Sequence, residues 1–359
     1  MAKFSLWVML YPVLYLLFIA LFPSFSLSMK GLRLGSLNIN GGRDRTKRAL
    51  VAETCKLKKL DIMFLQETHT DFNNESEWGL WWEGRLCLSH GTNVSAGVAV
   101  LFSAGLNVKI LSTEEIVKGR ALAVRAEIES CIFVFVNVYA PNNGTDRAVL
   151  FNTLGNALAQ YNQDHIVASG DWNCTTEFTE DRIGEEPHLQ SADCLSKLCI
   201  HLDWTDAWRI KHPSERQYTW VKVTDNRISA ARLDRIYVPQ TLRAKLIKSC
   251  IIPVGFTDHH LITVDLCTST GKTSSSFWRF NNQLIEDRFF CLSFRRFWEC
   301  WRGKKNTFGT LSQWWEVGKA QIRGFCQQYT SFSTVQIREK ILELENSIRE
   351  IECGLQNSE

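Results

Sequence analysis

The chain carries almost no excess of charge: 41 Lys+Arg against 38 Asp+Glu leave +3 over 359 residues. So small a balance excludes any argument from bulk charge for a polyanionic partner, and a basic footprint must be local. A cysteine pattern is missing too. The twelve cysteines include no Cys-x-x-Cys and no Cys/His grouping with zinc-finger spacing, which excludes the usual zinc modules. Cys131, Cys199 and Cys250 lie in apolar runs, where a thiol behaves as a small hydrophobe, so reduced thiols are expected rather than a disulfide framework. His69, His90, His165, His188, His201 and His212 show no ligand spacing and read as structural or surface residues. The apolar fraction of 45% is ordinary for a chain that buries a core.

Charge is also scarce at the start, where Lys3 is the only charge before Met29. Phe4 to Leu27 is apolar or weakly polar, and as a helix would reach about 36 Å, enough to cross a bilayer. Ser26 and Ser28 are small residues of the kind found near a signal cleavage point. Residues 1–28 therefore form a hydrophobic segment with three readings: an upstream extension (favoured), a membrane anchor, or a cleaved signal. Only a true anchor would make the membrane a partner. Asn173-Cys174-Thr175 is a glycosylation sequon, as are Asn74-Glu75-Ser76, Asn93-Val94-Ser95 and Asn143-Gly144-Thr145. A glycan on Asn173 would fill the site proposed below, which weighs against an active lumenal enzyme.

From Lys30 the pattern predicts a strand (Leu32–Ile39), a charged helix (Arg45–Leu60) and a strand (Ile62–Gln66). Lys47, Lys56, Lys58 and Lys59 read as the solvated face of that helix. Apolar runs at Ala96–Phe102, Val108–Leu111, Ala121–Ile128 and Cys131–Tyr139 have hairpin-like spacing. Thr145–Tyr161 is predicted helical, His165–Ser169 a buried strand, Ser191–Ile200 a helix, and Leu233–Val238 and Leu261–Leu266 strands. Such a pattern gives α/β or α+β. Residues 29–267 form one domain, 268–276 a small polar linker, and 277–359 a helical, Trp-rich basic region. Phe277 to Phe325 holds nine Lys/Arg against four Asp/Glu, with Trp278, Trp298, Trp301, Trp314 and Trp315. Aromatics among cations can stack on bases, but an amphipathic helical pack with tryptophans in its core is favoured. Ile337, Ile341, Leu344, Ile348 and Ile351 follow a short heptad seam.

Four short motifs end apolar runs in one order: Leu37-Asn38-Ile39-Asn40, Leu65-Gln66-Glu67-Thr68, Gly170-Asp171-Trp172-Asn173 and Thr257-Asp258-His259. Each offers a side chain suited to a divalent metal or a phosphate oxygen. Hydrolysis of a phosphodiester needs oxygen ligands for Mg²⁺, a carboxylate for the water and a cation or donor facing the phosphorus. Glu67 and Asn38 are the expected metal shell, with Mg²⁺ the favoured ion and Mn²⁺ the substitute. Asn40 follows Asn38 by two and is expected on the same strand face, as a further ligand or substrate contact. His259 suits a cation facing phosphate if a carboxylate holds its other nitrogen. Tyr139, at a strand end, would offer its hydroxyl to the phosphate.

With Asn137-Val138-Tyr139-Ala140-Pro141-Asn142 and Arg232-Leu233-Asp234-Arg235-Ile236, the set resembles the endonuclease/exonuclease/phosphatase superfamily, which includes apurinic-site endonucleases and exodeoxyribonuclease III. Leu202 to Arg209, His212-Pro213 and Tyr218-Thr219-Trp220 are similar to the endonuclease domain of LINE-type (non-LTR) retrotransposons. The likeness covers roughly Met29 to Leu266. It implies a four-layer α/β sandwich, two packed sheets flanked by helices, with a helical C-terminal appendage. It also implies that Asp171 handles the attacking water or the leaving oxygen, and that Asn173 donates to the phosphate. Asp234 would hold His259, with Asp258 on the metal side and Thr219 on the DNA backbone. Trp172 stands where the family usually has Phe, and Thr257 where it often has Ser. Residues 221–232 read as a hairpin turning at Asp225-Asn226, with Arg227 placed to enter a minor groove.

The resemblance implies a Mg²⁺-dependent DNA endonuclease of target-primed reverse transcription, acting in the nucleus on DNA. Retroelement RNA or a reverse transcriptase would be partners in trans, since no Tyr/Phe-Ala-Asp-Asp motif occurs in this chain. Repair nuclease and non-catalytic DNA-binding relic are the alternatives.

Overall fold

Short runs of β-branched, aromatic and aliphatic residues form two six-stranded sheets. The computed structural model describes residues 31–224, 227–267, 280 and 282–356. The hydrophobic segment 1–28 and the expected linker 268–276 lie outside them. Among the described residues no helix is long and apolar enough to cross a membrane.

The first sheet runs β13 (Leu246–Ile252), β14 (Leu261–Cys267), β1 (Gly31–Asn38), β2 (Ile62–Gln66), β4 (Val98–Phe102) and β3 (Arg85–Ser89). The second runs β5 (Val108–Val117), β6 (Ala121–Ile128), β7 (Cys131–Tyr139), β8 (His165–Asp171), β12 (Asp234–Pro239) and β9 (Trp204–Asp206). β10 (Trp220–Thr224) and β11 (Arg227–Ala231) form a separate hairpin. Among the described residues only β1–β2 and β7–β8 pair in parallel. Parallel neighbours need a crossover, supplied by α1 (Arg45–Lys58) and α3 (Gly144–Leu158), which cover the outer faces together with α2 (Glu75–Trp81) and α5 (Leu189–His201). Three shorter helices, α4 (Phe178–Asp181), α6 (Ala207–Lys211) and α7 (Gln240–Arg243), complete the α-helices of this domain among the described residues. Helix, sheet, sheet, helix is the four-layer sandwich the resemblance implied.

Alternation along the strands explains both the core and the site. Leu34, Phe64, Val100, Phe135, Val167 and Val264 fill the space between the sheets. Their neighbours of opposite parity, Leu37, Leu65, Val136 and Ala168, meet the outer helices through Val51, Leu154 and Leu195. Following the inward rows toward one end of the sandwich, the residues turn polar: Leu34-Ser36-Asn38, Phe64-Gln66, Phe135-Asn137-Tyr139 and Val167-Ser169-Asp171, all buried. Such groups must be paired. Gln66 Nε2 donates to Asn137 Oδ1 (2.7 Å), and Asn137 Nδ2 donates to the carbonyls of Leu65 (2.9 Å) and Ala99 (2.8 Å), joining the two sheets.

β3, β9 and β13 had no expectation from sequence, and β5 runs on to Val117, six residues past its apolar start, because its polar outer face meets solvent. The lysines of α1 are not all a solvated face. Lys56 and Lys59 are exposed, but Lys47 Nζ donates to the carbonyls of Ile39 and Asn40 (2.9 Å each). Lys58 pairs with Glu345 at 2.5 Å. Among the described side chains no two cysteines are joined in a disulfide.

The C-terminal region is α8 (Arg288–Gly303) and the long α9 (Leu311–Gln356). Phe290, Leu284 and Cys326 are buried against Phe294, Ile322, Phe325 and Tyr329, and Trp301 stacks on Trp314, both buried. Trp301, Trp314 and these phenylalanines face a core, as favoured from sequence, whereas Trp315 is exposed and Trp278 lies outside the described residues. The heptad seam is split: Ile341 and Ile348 are half-buried while Leu344 and Ile351 face solvent. Residues one step along, Glu345 and Arg349, meet the sandwich instead, Arg349 Nη2 donating to the Ile251 carbonyl (3.3 Å).

Candidate active site

Four strands, β1, β2, β7 and β8, present their carboxyl ends at the polar end of the sandwich, while β12 and β14 begin there. This brings Asn38, Glu67, Tyr139 and Asp171 to the starts of those two antiparallel strands, Asp234 and, just before Leu261, His259. β12 pairs Asp234 directly opposite Asp171. Gly170 sits at φ +149°, and a Cβ there would fall 1.8 Å from the Val138 carbonyl oxygen, so only glycine lets β8 approach β7 just before Asp171.

His259 Nδ1 bonds Asp234 Oδ2 at 2.7 Å, and its Nε2 lies 4.0 Å from Asp171 Oδ2. All three side chains are buried. Burial alone would disfavour an imidazolium, but the carboxylates of Asp234, Asp171 and Asp258 outweigh it and raise His259 to about 10. Asp171 moves the other way from a usual carboxylate. Burial, then repulsion from Asp234, push it up to about 7 against the help of His259 and Asn38. A cation and a carboxyl near neutrality thus face one another. Asp171 Oδ1 accepts from the Asn173 backbone N–H (3.0 Å) and Oδ2 from Asn38 Nδ2 (3.0 Å).

Beside this pair, Glu67 is half-buried at φ +52° beyond β2. Burial opposes its charge, yet hydrogen bonds from His69, Asn38 and Tyr139 prevail and hold it down at about 2. An ionised, hydrogen-bonded carboxylate at the mouth of a polar seam fits a divalent cation. The ligand atoms of Asp171, Asp234 and His259 also lie within 4.8 Å of one another, but His259 and Asp234 are joined by a hydrogen bond of 2.7 Å, too short to admit an ion between them. Asn38 presents its NH₂ to Glu67 Oε1 (2.9 Å) and Asp171, and its oxygen to the Asn40 N–H (3.0 Å). In this orientation Asn38 steadies the two carboxylates through its NH₂, and its oxygen accepts from the Asn40 N–H.

The structure brings together most of the residues expected from sequence, with corrections. Asn40 does not share a strand face with Asn38, because β1 ends at Asn38 and Asn40 turns at φ +44°; its Nδ2 lies 3.4 Å from the exposed Asp258 Oδ1. Asn173 is at φ +51° with Nδ2 donating to the Ala140 carbonyl (2.8 Å). The Tyr139 hydroxyl is engaged by Glu67, and burial together with that carboxylate raises its pKa above the ordinary value. Trp172 is fully buried in the outer layer against Tyr237, so an indole at that position changes packing only. Thr219 is not available to a DNA backbone: it is fully buried, and its hydroxyl accepts from the N–H groups of Leu233 (2.9 Å) and Asp234 (3.0 Å). Asp225, Asn226 and the side chain of Arg227 lie outside the described residues; the hairpin register pairs Thr224 with Arg227 as expected.

Two residues at the site went unread in the sequence. Arg120 lies with its guanidinium 4.5 Å from the centre of the Tyr139 ring. His69, which reads from sequence as a structural or surface residue, has Nε2 3.4 Å from Glu67 Oε2; its place two residues after Glu67 is the signal the sequence offers. Beneath the site, Asp181 accepts from Arg232 Nε (2.8 Å) and Nη2 (2.5 Å) and pairs with Arg209, while Arg232 also reaches Asp206 at 2.7 Å.

A family model described as Endonuclease/Exonuclease/phosphatase family matches residues 35–259. A curated relative from Xenopus laevis, the Transposon TX1 uncharacterized 149 kDa protein, is 33% identical over 329 residues, 91% of this chain. The chain spans 25% of that protein's length. AP endonuclease LMAP from Leishmania major superposes with a TM-score of 0.58 at 14% identity, over 67% of this chain and 89% of the other. The endonuclease domain of TRAS1, a telomere-specific non-LTR retrotransposon, superposes at 0.50 with 12% identity, over 66% of this chain and 98% of the other. At such identities the two structures speak for the fold.

Proposed function

We propose, from the premise that this chain belongs to the endonuclease/exonuclease/phosphatase family, that it is a Mg²⁺-dependent DNA endonuclease. It nicks one strand and leaves a 3′-hydroxyl able to prime reverse transcription. The observation that carries the chemistry is the buried Asp234–His259 hydrogen bond facing Asp171 across 4.0 Å. The likeness to a transposon protein supports the retroelement setting, with action in the nucleus and retroelement RNA or a reverse transcriptase as partners in trans.

Asp171, balanced near neutrality, takes a proton from the attacking water as its oxygen bonds to phosphorus. The bond from phosphorus to the 3′-oxygen breaks, that oxygen leaves as the hydroxyl by taking a proton from solvent water, and Asp171 returns its own proton to solvent. His259, kept cationic by Asp234, faces a non-bridging oxygen where negative charge grows. Asn173, steadied by the Ala140 carbonyl, has a second amide N–H for the phosphate. Glu67, with Asn38 and Asp258, would hold the divalent ion, Mg²⁺ or Mn²⁺ in its place. Bound there, the ion supplies positive charge to the phosphate oxygens.

The test is the purified chain with Mg²⁺ on supercoiled plasmid, an abasic duplex and a phosphoinositide. Nicked circles bearing 3′-hydroxyl ends are expected. Strong preference for the abasic duplex would move the function to repair, hydrolysis of the lipid alone would overturn it, and binding without cleavage would make the chain a DNA-binding relic.

A further inference from the structure

Thr219 occupies a junction that no phosphate-contacting role accounts for. It precedes the β10–β11 hairpin and is fully buried. Its hydroxyl oxygen gathers two N–H groups, from Leu233 at 2.9 Å and Asp234 at 3.0 Å, in the turn that leads from β11 into β12. Its carbonyl accepts from the His260 N–H at 2.8 Å, and its own N–H donates to the Ala231 carbonyl at 3.1 Å. The next residue, Trp220, forms an antiparallel bridge with His259 itself. One side chain and one peptide unit therefore fix the backbone on both sides of the Asp234–His259 hydrogen bond.

We infer that Thr219 is the positioning residue of the Asp234–His259 pair, and that it ties the root of the β10–β11 hairpin to that pair. The inference rests on the nuclease reading above. A side chain is aimed by the φ and ψ of its own residue, and two N–H groups converging on one oxygen fix those of Asp234. The carbonyl of the same residue fixes the strand entry that follows His259. Loss of the acceptor leaves two buried N–H groups unpaired, and the turn must shift to satisfy them. A displacement of about 1 Å in catalytic geometry costs on the order of 10²-fold in rate. Trp220 and Ala231 pair with one another at the root of the hairpin, so the same contacts anchor that root beside the Asp234–His259 pair.

Thr219→Val keeps the shape and removes the acceptor; Thr219→Ser keeps the acceptor and removes the methyl. In the full chain, Thr219→Val is expected to lower kcat for plasmid nicking about 100-fold with KM changed less than about threefold. Thr219→Ser should recover most of that loss. The second readout is the low-field imidazole proton resonance of the His259–Asp234 hydrogen bond, expected in the wild type and Thr219→Ser and moved upfield in Thr219→Val. If Thr219→Val fails to fold, Thr219→Ala is judged by the same two measures. Equal impairment of the serine and valine variants would reduce Thr219 to packing, and a change confined to KM would return it to DNA contact; either overturns the inference. Should the wild type cleave no substrate, the nuclease reading fails while the resonance still decides the role of Thr219.

Discussion

Replacing Asp234 by Asn separates the charge of the Asp234–His259 pair from its shape. The amide fills the same space opposite His259, where the carboxylate now sits 2.7 Å from Nδ1, but removes the anion chiefly responsible for lifting His259 to about 10 from 6.5. Without it the histidine falls back toward its ordinary value. At pH 8 its cationic fraction drops from nearly complete to about 3%, a rate loss of roughly thirtyfold, shrinking to about twofold at pH 6.5. The acid side moves as well. Asp171 loses a like charge, so its titration near 7 shifts to lower pH and the variant keeps its base form where the wild type begins to lose it. The ratio of wild-type to variant rate should therefore climb steeply with pH. Single-turnover nicking of supercoiled plasmid from pH 6 to 9 at saturating Mg²⁺ measures it. A loss by one constant factor across that range would refute a cationic His259.

Asp171→Ala and His259→Ala should each cost about 10²–10³ in kcat while leaving circular dichroism unchanged, since each group acts on charge that develops during reaction; near wild-type rates in either would sink the assignment. Glu67→Gln removes the carboxylate held at about 2 and should raise the Mg²⁺ midpoint for nicking far more than the DNA dissociation constant, and an unmoved midpoint would place the ion elsewhere. Replacing residues 224–229 with a Gly-Ser turn should redistribute nick positions on a plasmid with overall cleavage preserved within about tenfold, and an unaltered nick map would assign target choice to another loop. Asp181→Ala leaves the buried guanidinium of Arg232 with Asp206 as its remaining carboxylate and should cost about 3 kcal/mol in urea unfolding, the low end for breaking a buried pair; a loss under about 1 kcal/mol would show that Asp206 alone neutralises it.

What could be read before the structure was whatever is local. Ile62 to Gln66 and His165 to Ser169 announce themselves as buried strands, and a polar residue closing such a run, Glu67 or Asp171, marks a strand end exposed to chemistry. Leu246 to Ile252 does not announce itself: with Lys248 and Ser249 in the middle it alternates poorly, and it is a strand because β14 offers it partners. Arg85 to Ser89 is recruited in the same way by β4. The role of Thr219 depends on residues 14 and 15 positions later in the chain, and Arg120 meets Tyr139 only through the β6–β7 pairing. Asn40 shows the converse failure. A two-residue repeat places side chains only while the strand lasts, and β1 stops at Asn38.

The amides of Gln66 and Asn137 give the sandwich something that its hydrocarbon filling cannot. Leucine, valine and phenylalanine side chains pressed between two sheets resist separation, yet they tolerate sliding, because apolar contact has no preferred direction. A pair of amides bonded to one another and to two carbonyls has one fit. Glu67 hangs from one sheet, and Tyr139, Asp171 and Asp234 hang from the other, so their mutual distances are only as fixed as the registration of two separate slabs. The amide pair pins that registration within a residue of Glu67 and two of Tyr139. It works as a dowel driven through the joint between the halves, set where slippage would harm the chemistry first.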